Sequence, residues 1–400
     1  MNPATVTLTD RAHEVSSEIV TDIMTLVGQE TSSYDLAGLA AGRDLLHDLA
    51  VHRLGQPGEE HRHRGGERGD TLTLTYPGTG PGHVALVGHY DTVWPTGTLA
   101  GWAPSESDGR ERLSGPGIFD MKTGLAQGIW ALKLAREYGV PVPTVTFVFN
   151  GDEEVGSRSS RPVIEEIAHH ADATLVLEPS AHGGAVKTAR KGNGTFRVTA
   201  SGVEAHAGLA PEDGASAITA LSEFVVAAAA VAAPELGTTI NPGLITGGSA
   251  ANVVAGQATA SVDIRVSSEA ERERVDTELE AIKVSDPRVR IDIDHAWNRP
   301  PMTLNAASAP LLGLAREVAR EQGRDGLPAA AVGGASDANF VAALGLPVLC
   351  GMGAVGDGAH AQGEFIYPDT VPAQTALVAG LLGRLAEPLH GQSVTSHAGF

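Results

Sequence analysis

The chain has 400 residues, 42% hydrophobic and 19% charged, a balance that excludes extended disorder and suits two domains with sizeable cores. Its 28 basic against 48 acidic residues leave a net charge of -20, which argues against nucleic acid or an anionic membrane surface as a partner. The lone cysteine, Cys350, excludes an intrachain disulfide framework and a cysteine-based zinc cluster. The opening segment MNPATVTLTDRAHEVSSEIV has neither the basic nor the apolar stretch of a signal, so a soluble, cytoplasmic protein is expected.

In chain order, residues 9–28 and 36–54 carry helical apolar spacing, through Ile19, Ile23 and Leu26 and then Leu45, Leu46 and Leu49. His61 and His63 sit in HRHRGGERGD, whose charge predicts a solvated turn, and 71–76 alternates as a half-buried strand. The stretch VALVGHYDTVW follows at 84–94. Val84, Leu86 and Val87 read as a buried strand ending at Gly88, which places His89 and Asp91 at a strand's carboxyl end, where open α/β sheets hold their ligands. The pair is either a metal ligand with its supporting carboxylate or a hydrogen-bonded structural histidine.

Next, Gly115, Pro116 and Gly117 force a tight turn in SGPGIFDMKTG and set Asp120 before a helical pattern at 125–136. There Asp120 is either a helix cap or part of a charged site. An apolar strand at 144–149 ends in NGDEEVGS. Its adjacent Glu153 and Glu154 repel each other unless a cation or proton separates them, so they form either a solvated acidic turn or a metal ligand beside a proton carrier. A further strand at 173–177 runs into Glu178. The repeated delivery of His or carboxylate at strand ends makes a metal site the better reading. Oxygen plus imidazole suits zinc, cobalt or manganese.

From 191 the pattern changes to alternating strands at 195–200, 259–266 and 289–293 with helices at 215–233 and 269–284, which describes a small α+β domain. After 300 the first style returns, with a helix at 305–322, GGASDANF, a strand at 347–350 and the loop GMGAVGDGAHAQGEF containing His360. The expected division is therefore 1–190 and 300–400 as one domain with 191–299 inserted. Thr259, Ser261, Asp263 and Arg265 share one strand face, so Arg265 meets either a carboxylate ligand or Asp263. His206, in a turn before the alanine-rich helix, reads by itself as a loop histidine.

Taken in order, GHYDTVWP, GPGIFDMKTG, NGDEEVGS, LEPS, GVEAHAGLAPEDG and GDGAH resemble the metallopeptidase M20 family, most closely its glutamate carboxypeptidase-like branch, over roughly 36–385. The resemblance implies an α/β fold: a zinc-peptidase catalytic domain with a mixed β-sheet flanked by helices, and an inserted smaller α+β lid and dimerisation domain. It implies two Zn2+ per chain, with Co2+ or Mn2+ as alternatives. His89 and Glu178 would hold one ion, Glu154 and His360 the other, and Asp120 would bridge them through a residue whose bond to Met121 is cis. Asp91 would fix the His89 tautomer and Glu153 would be the general base. His206, donated across a homodimer, would face the developing oxyanion, and Asn252 and Arg265 would hold a substrate carboxylate. The implied reaction is hydrolysis of an amide beside a free carboxylate, in a small peptide or N-acyl amino acid. Aminoacylases, deacetylases and dipeptidases share the same zinc motifs, and a non-catalytic homologue would be expected to lack a ligand or Glu153. The tail HGQSVTSHAGF matches nothing in the family and is expected to be a flexible end.

Overall fold

A computed structural model describes residues 7–107 and 111–387; the expected flexible tail at 390–400 lies outside the described residues. The chain divides into two compact units, one from 1–188, 303–331 and 340–400 and the other from 189–302 with 332–339. The segment 332–339 thus groups with the smaller unit although it lies far along the chain. It is held there by a buried ion pair from Arg299 to Asp337 at 3.1 Å and by Asn339, which donates to the carbonyls of Lys191 and Pro300.

The eight-stranded sheet runs in the order Glu59–His63, Thr71–Tyr76, Thr144–Asn150, His83–His89, Ala173–Val176, Val348–Cys350, Val186–Arg190 and Ala329–Val332. Its four central strands are parallel and its first three antiparallel, so the sheet is mixed. The central strands are buried on both faces, as the unbroken runs around Leu86, Phe147 and Leu175 require. Helix Thr123–Glu137 lies almost wholly in the core, where the Trp130 indole donates to Asp22 at 2.7 Å. That helix comes close to the sheet because Gly124 has no side chain: a Cβ there would fall 1.9 Å from the carbonyl oxygen of Leu177.

The smaller unit is an antiparallel sheet in the order Thr239–Gly247, Gln257–Val266, Gly192–Ser201 and Arg290–Asp294, with Trp297–Arg299 also paired to Gly192–Ser201. Phe196, Val198, Val262, Ile264 and Val266 point to one face, under helices Ala217–Ala229 and Glu269–Ala281, and alternate with the more exposed Asp263 and Arg265.

Two sequence expectations change. The helical pattern at 9–28 is broken into Leu8–Glu14 and Ser16–Val27, because Val15 leaves helical geometry with ψ 10°. His61 and His63 lie on the edge strand Glu59–His63 instead of in a turn; pairing with Thr71–Tyr76 overrides a polar composition that an edge strand tolerates. Among the described residues no helix is long and apolar enough to cross a membrane.

Gly124→Ala is expected to destabilise the protein by about 3 kcal/mol or more, since the added methyl meets backbone that cannot swing away. Gly313→Ala, in open space on helix Ser308–Glu321, should instead be neutral or stabilise by up to about 1 kcal/mol. Urea unfolding of the two variants checks the contrast.

Candidate metal centre

Strand register builds the site. His83–His89 lies between two parallel neighbours, with His89 opposite Asn150 and Val87 opposite Val176. The first two strands end level and the third stops two residues earlier, opposite Val87, and the chain leaves them through His89 and Asp91, Glu153 and Glu154, and Leu177 and Glu178 at one edge. Asp120 comes from a wide turn after Gly117, whose φ of 73° favours glycine, and the Asp120–Met121 peptide is cis. His360 comes from a loop in a four-stranded sheet made of Ser105–Glu106, Leu113–Ser114, Phe365–Ile366 and Gly356–Asp357. That small sheet ties the His360 loop to the segment leading into Asp120.

These side chains converge. His89 Nε2 lies 3.2 Å from Asp120 Oδ1 and 3.7 Å from Glu178 Oε1. His360 Nε2 lies 3.1 Å from Glu154 Oε2 and 3.4 Å from Asp120 Oδ2, so Asp120 stands between the two imidazoles. Potential ligand atoms of His89, Asp120 and Glu154 lie within 4.8 Å of one another, as do those of His89, Glu153 and Glu178. The two adjacent glutamates thus reach the same histidine from different sides.

Asp91 works differently from the simplest expectation. His89 Nδ1 is nearest the Asp91 main-chain carbonyl, at 3.0 Å, with the carboxylate Oδ1 farther away at 3.5 Å. Donation from Nδ1 leaves Nε2 facing Asp120 and Glu178. The fully buried Asp91 carboxylate instead accepts the main-chain N–H groups of Glu153 and Glu154, at 3.1 and 3.2 Å, and the Ser33 hydroxyl at 2.8 Å. It thereby fixes the turn that presents both glutamates.

The residues suit a cation. Glu154 Oε1 is buried with no hydrogen-bond partner, the kind of orphaned oxygen that an ion would satisfy. Burial pulls the His89 imidazole down, but Asp120 and Asp91 outweigh it and hold it well above its ordinary value. Hydrogen bonds to Asp120 and Glu154 push His360 up to about 10. Burial drives the Glu154 carboxyl upward as well. So many carboxylates around two imidazoles favour positive charge, which a bound cation would supply. Oxygen and imidazole donors are the set that zinc, cobalt and manganese accept.

Some neighbours escaped the sequence reading. Ser33 is separated from Asp91 by 58 positions, and Lys187, whose Nζ is 3.8 Å from Glu178 Oε2, follows no motif. Glu364 left one signal, its place four residues after His360. Its buried carboxyl accepts the Phe119 N–H at 3.4 Å, and burial together with the charge of Asp120 pushes it up to about 8.

The remaining candidates lie in the smaller unit. His206 is exposed, and its Nδ1 accepts the N–H groups of Gly208 and Leu209, both at 3.1 Å, which leaves the ring proton on Nε2. Ala207 N–H donates to the Asn252 carbonyl, so His206 and Asn252 share one corner. Arg265 is held by Asp263 Oδ1 at 3.1 Å and by the Gly333 carbonyl at 3.4 Å, the pairing that its strand face allowed.

Asp91→Ala is expected to destabilise the chelator-treated protein by about 3 kcal/mol or more, because three buried donors lose a charged acceptor, each such bond contributing about 1.5–3 kcal/mol. Asp91→Asn, which keeps one acceptor oxygen, should lose less. Urea melts in chelator read stability apart from metal binding.

Comparison with known proteins agrees with this geometry. A model of peptidase family M20/M25/M40 matches residues 85–384, a span that contains every residue of the cluster. Carboxypeptidase G2 of Pseudomonas sp. (strain RS-16) is 29% identical over 369 residues, covering 91% of this chain and 88% of that protein. A succinyl-diaminopimelate desuccinylase of Bradyrhizobium sp. (strain ORS 278) is 26% identical, covering 77% of this chain and 84% of its own. In fold, the crystal structure of aminopeptidase PepT from Bacillus cereus superposes with a TM-score of 0.72 at 23% identity, over 93% of this chain and 99% of that one. Matched over three quarters of its length by that family model, the chain belongs to peptidase family M20/M25/M40 and is a hydrolase of that family.

Proposed function

We propose that the protein is a dinuclear zinc hydrolase that cleaves an amide bond beside a free carboxylate, as a glutamate carboxypeptidase-like exopeptidase of the cytoplasm. The observation that carries this reading is the convergence of His89, Asp120, Glu154, Glu178 and His360 around a carboxylate between two imidazoles, with Glu153 buried beside them. The similarity to carboxypeptidase G2 over most of both chains supports the carboxypeptidase form. The desuccinylase relative supports a second reading, an N-acyl-amino-acid amidohydrolase of the same mechanism.

In this reading His89 and Glu178 would hold one ion and Glu154 and His360 the other, with Asp120 shared between them. A bound pair of divalent ions would polarise the scissile carbonyl and make water acidic enough to attack at neutral pH. Glu153 takes the proton from that water and later passes it to the departing amine. The Asp91 carboxylate holds Glu153 in place through its main chain, and the Asp91 carbonyl keeps His89 in the ligating tautomer. His206, donated across a homodimer by the second copy, would give its Nε2–H to the developing oxyanion, and Asn252 and Arg265 would hold the substrate carboxylate; an arginine fork suits that group because it binds bidentately.

We also read the smaller unit as a lid through which two copies associate. Strand Thr239–Gly247 is at the sheet edge with Leu244 and Ile245 71% and 57% exposed, and the neighbouring helix Ala217–Ala229 exposes Ile218 and Val226. A strand with one open edge bordered by apolar side chains suits a second copy of itself. Light scattering should give a dimer, and Leu244→Glu should give monomer.

Metal analysis should find two divalent ions per chain, with activity lost to a chelator; active protein containing only trace metal would contradict the proposal. Glu153→Ala should remove most turnover at near-normal metal content, whereas Glu154→Ala should deplete metal. Hydrolysis of C-terminal glutamate peptides, folate-like glutamates and N-acyl amino acids separates the two substrate readings. On a matched acid and amide substrate, Arg265→Ala should lower kcat/KM ten- to a hundredfold and narrow the preference for the acid, since a charge-assisted hydrogen bond is worth about 1.5–3 kcal/mol. His206→Ala should instead lower kcat on both. An unchanged acid-to-amide ratio in Arg265→Ala would leave Arg265 as a partner of Asp263 alone.

A further inference from the structure

The two imidazoles of the centre are held very differently. His89 is buried at the end of a core strand, with its main-chain N–H directed to the Met121 sulfur and its Nδ1 held by Asp91. His360 has a half-exposed side chain, lies in a loop between two-residue strands, and has φ of 62° in the left-handed region that non-glycine residues seldom occupy. Such a conformation persists only where the surroundings over-determine it. Something must therefore hold this loop against the turn that carries Asp120, 240 positions earlier in the chain.

Glu364 is placed to do so. It is 1% exposed, and it lies on the His360 loop immediately before strand Phe365–Ile366. Its carboxyl oxygen Oε1 accepts the main-chain N–H of Phe119, the residue preceding Asp120, at 3.4 Å, while Oε2 is buried with no hydrogen-bond partner. Its main-chain carbonyl accepts the Ser114 hydroxyl at 2.8 Å, and its own N–H donates to the Ala361 carbonyl at 3.0 Å, closing the loop around His360. Strand pairing continues the seam, with Phe365 opposite Ser114 and Ile366 opposite Leu113. Glu364 thus fastens the His360 loop to the segment leading into Asp120 through both its carboxyl and its main-chain carbonyl.

We infer that Glu364 is a positioning residue for the second metal site: it sets the separation of His360 from Asp120 and Glu154, and so the affinity for the ion those residues share. This rests on the two-metal reading above. Glu364 has no place among the ligands; it acts through the main chain of Phe119 and through the loop that bears His360. The His89 and Glu178 side of the centre is anchored by strand pairing and by Asp91, so it should not depend on Glu364.

The test is a Co2+ titration of metal-stripped protein followed by d–d absorbance, comparing wild type with His360→Ala, Glu364→Ala, Glu364→Gln and Ser114→Ala, each with its unfolding midpoint in chelator. Wild type should bind in two steps and His360→Ala should lose one. Glu364→Ala is expected to weaken that same step at least tenfold and leave the other within about threefold, the size of effect seen when groups that orient a ligand are removed. Glu364→Gln, which keeps an acceptor oxygen for Phe119, should recover part of the loss, and Ser114→Ala should weaken the same step by a few fold. Equal weakening of both steps would mark Glu364 as merely structural and overturn the inference, as would equal loss in the Ala and Gln variants or wild-type binding in Glu364→Ala. If Glu364→Ala does not fold, unchanged affinities in both Glu364→Gln and Ser114→Ala overturn it. A wild type that takes up fewer than two ions removes the two-metal reading itself, and the inference with it.

Discussion

The site depends on the buried carboxylate of Asp91. A charge with no exposure is tolerable only when its lone pairs are filled, and this one is satisfied by Ser33 and by the consecutive amides of Glu153 and Glu154. The satisfaction has a geometric result. Two adjacent N–H groups turned toward one carboxylate fix the backbone of the turn, and that sends the two glutamate side chains away from Asp91 on different courses. Chemically identical neighbours thereby acquire different surroundings: Glu154 approaches Asp120 and His360, and Glu153 approaches Glu178.

Like charges drawn this close would repel each other strongly in a weakly polar interior. The raised imidazole values of His89 and His360 show the same electrostatic demand from the other side. Parallel pairing makes the crowding possible. It brings residues that are distant in sequence to one edge, and the close approach of helix Thr123–Glu137, allowed by Gly124, brings Asp120 to the same place. The fold concentrates charge there because the core beneath it is apolar and tightly filled, so the polar groups have only the rim to occupy.

The smaller unit is governed by simpler rules. Its strands alternate cleanly, its core lies under two helices, and Arg265 is turned outward by the pleat and meets Asp263 two residues away. His206 and Asn252 come together because one main-chain hydrogen bond joins their loops. The two units therefore hold their functional candidates by different means, buried charge in one and exposed loops in the other.

Much of this was determined by the sequence alone. Apolar runs leading to His89, to Glu153 and Glu154, and to Glu178 read directly as strands that carry an imidazole and carboxylates to one edge, because burial and chain direction act locally. The alternation of residues 259–266 likewise set which side chains face the core. Only the tertiary structure decided the rest. Pairing with a neighbouring strand drew the charged His61–His63 segment into a sheet, and a buried ion pair joined 332–339 to the smaller unit. Ser33, Lys187 and Glu364 came to the site through contacts across long stretches of chain, and the Asp91 carboxylate turned to the glutamate amides while its carbonyl took His89. The physical reason is common to all of them. A hydrogen bond between residues far apart in sequence leaves no periodicity to read, and it exists only once the packing of the core has brought donor and acceptor within 3 Å or so of each other.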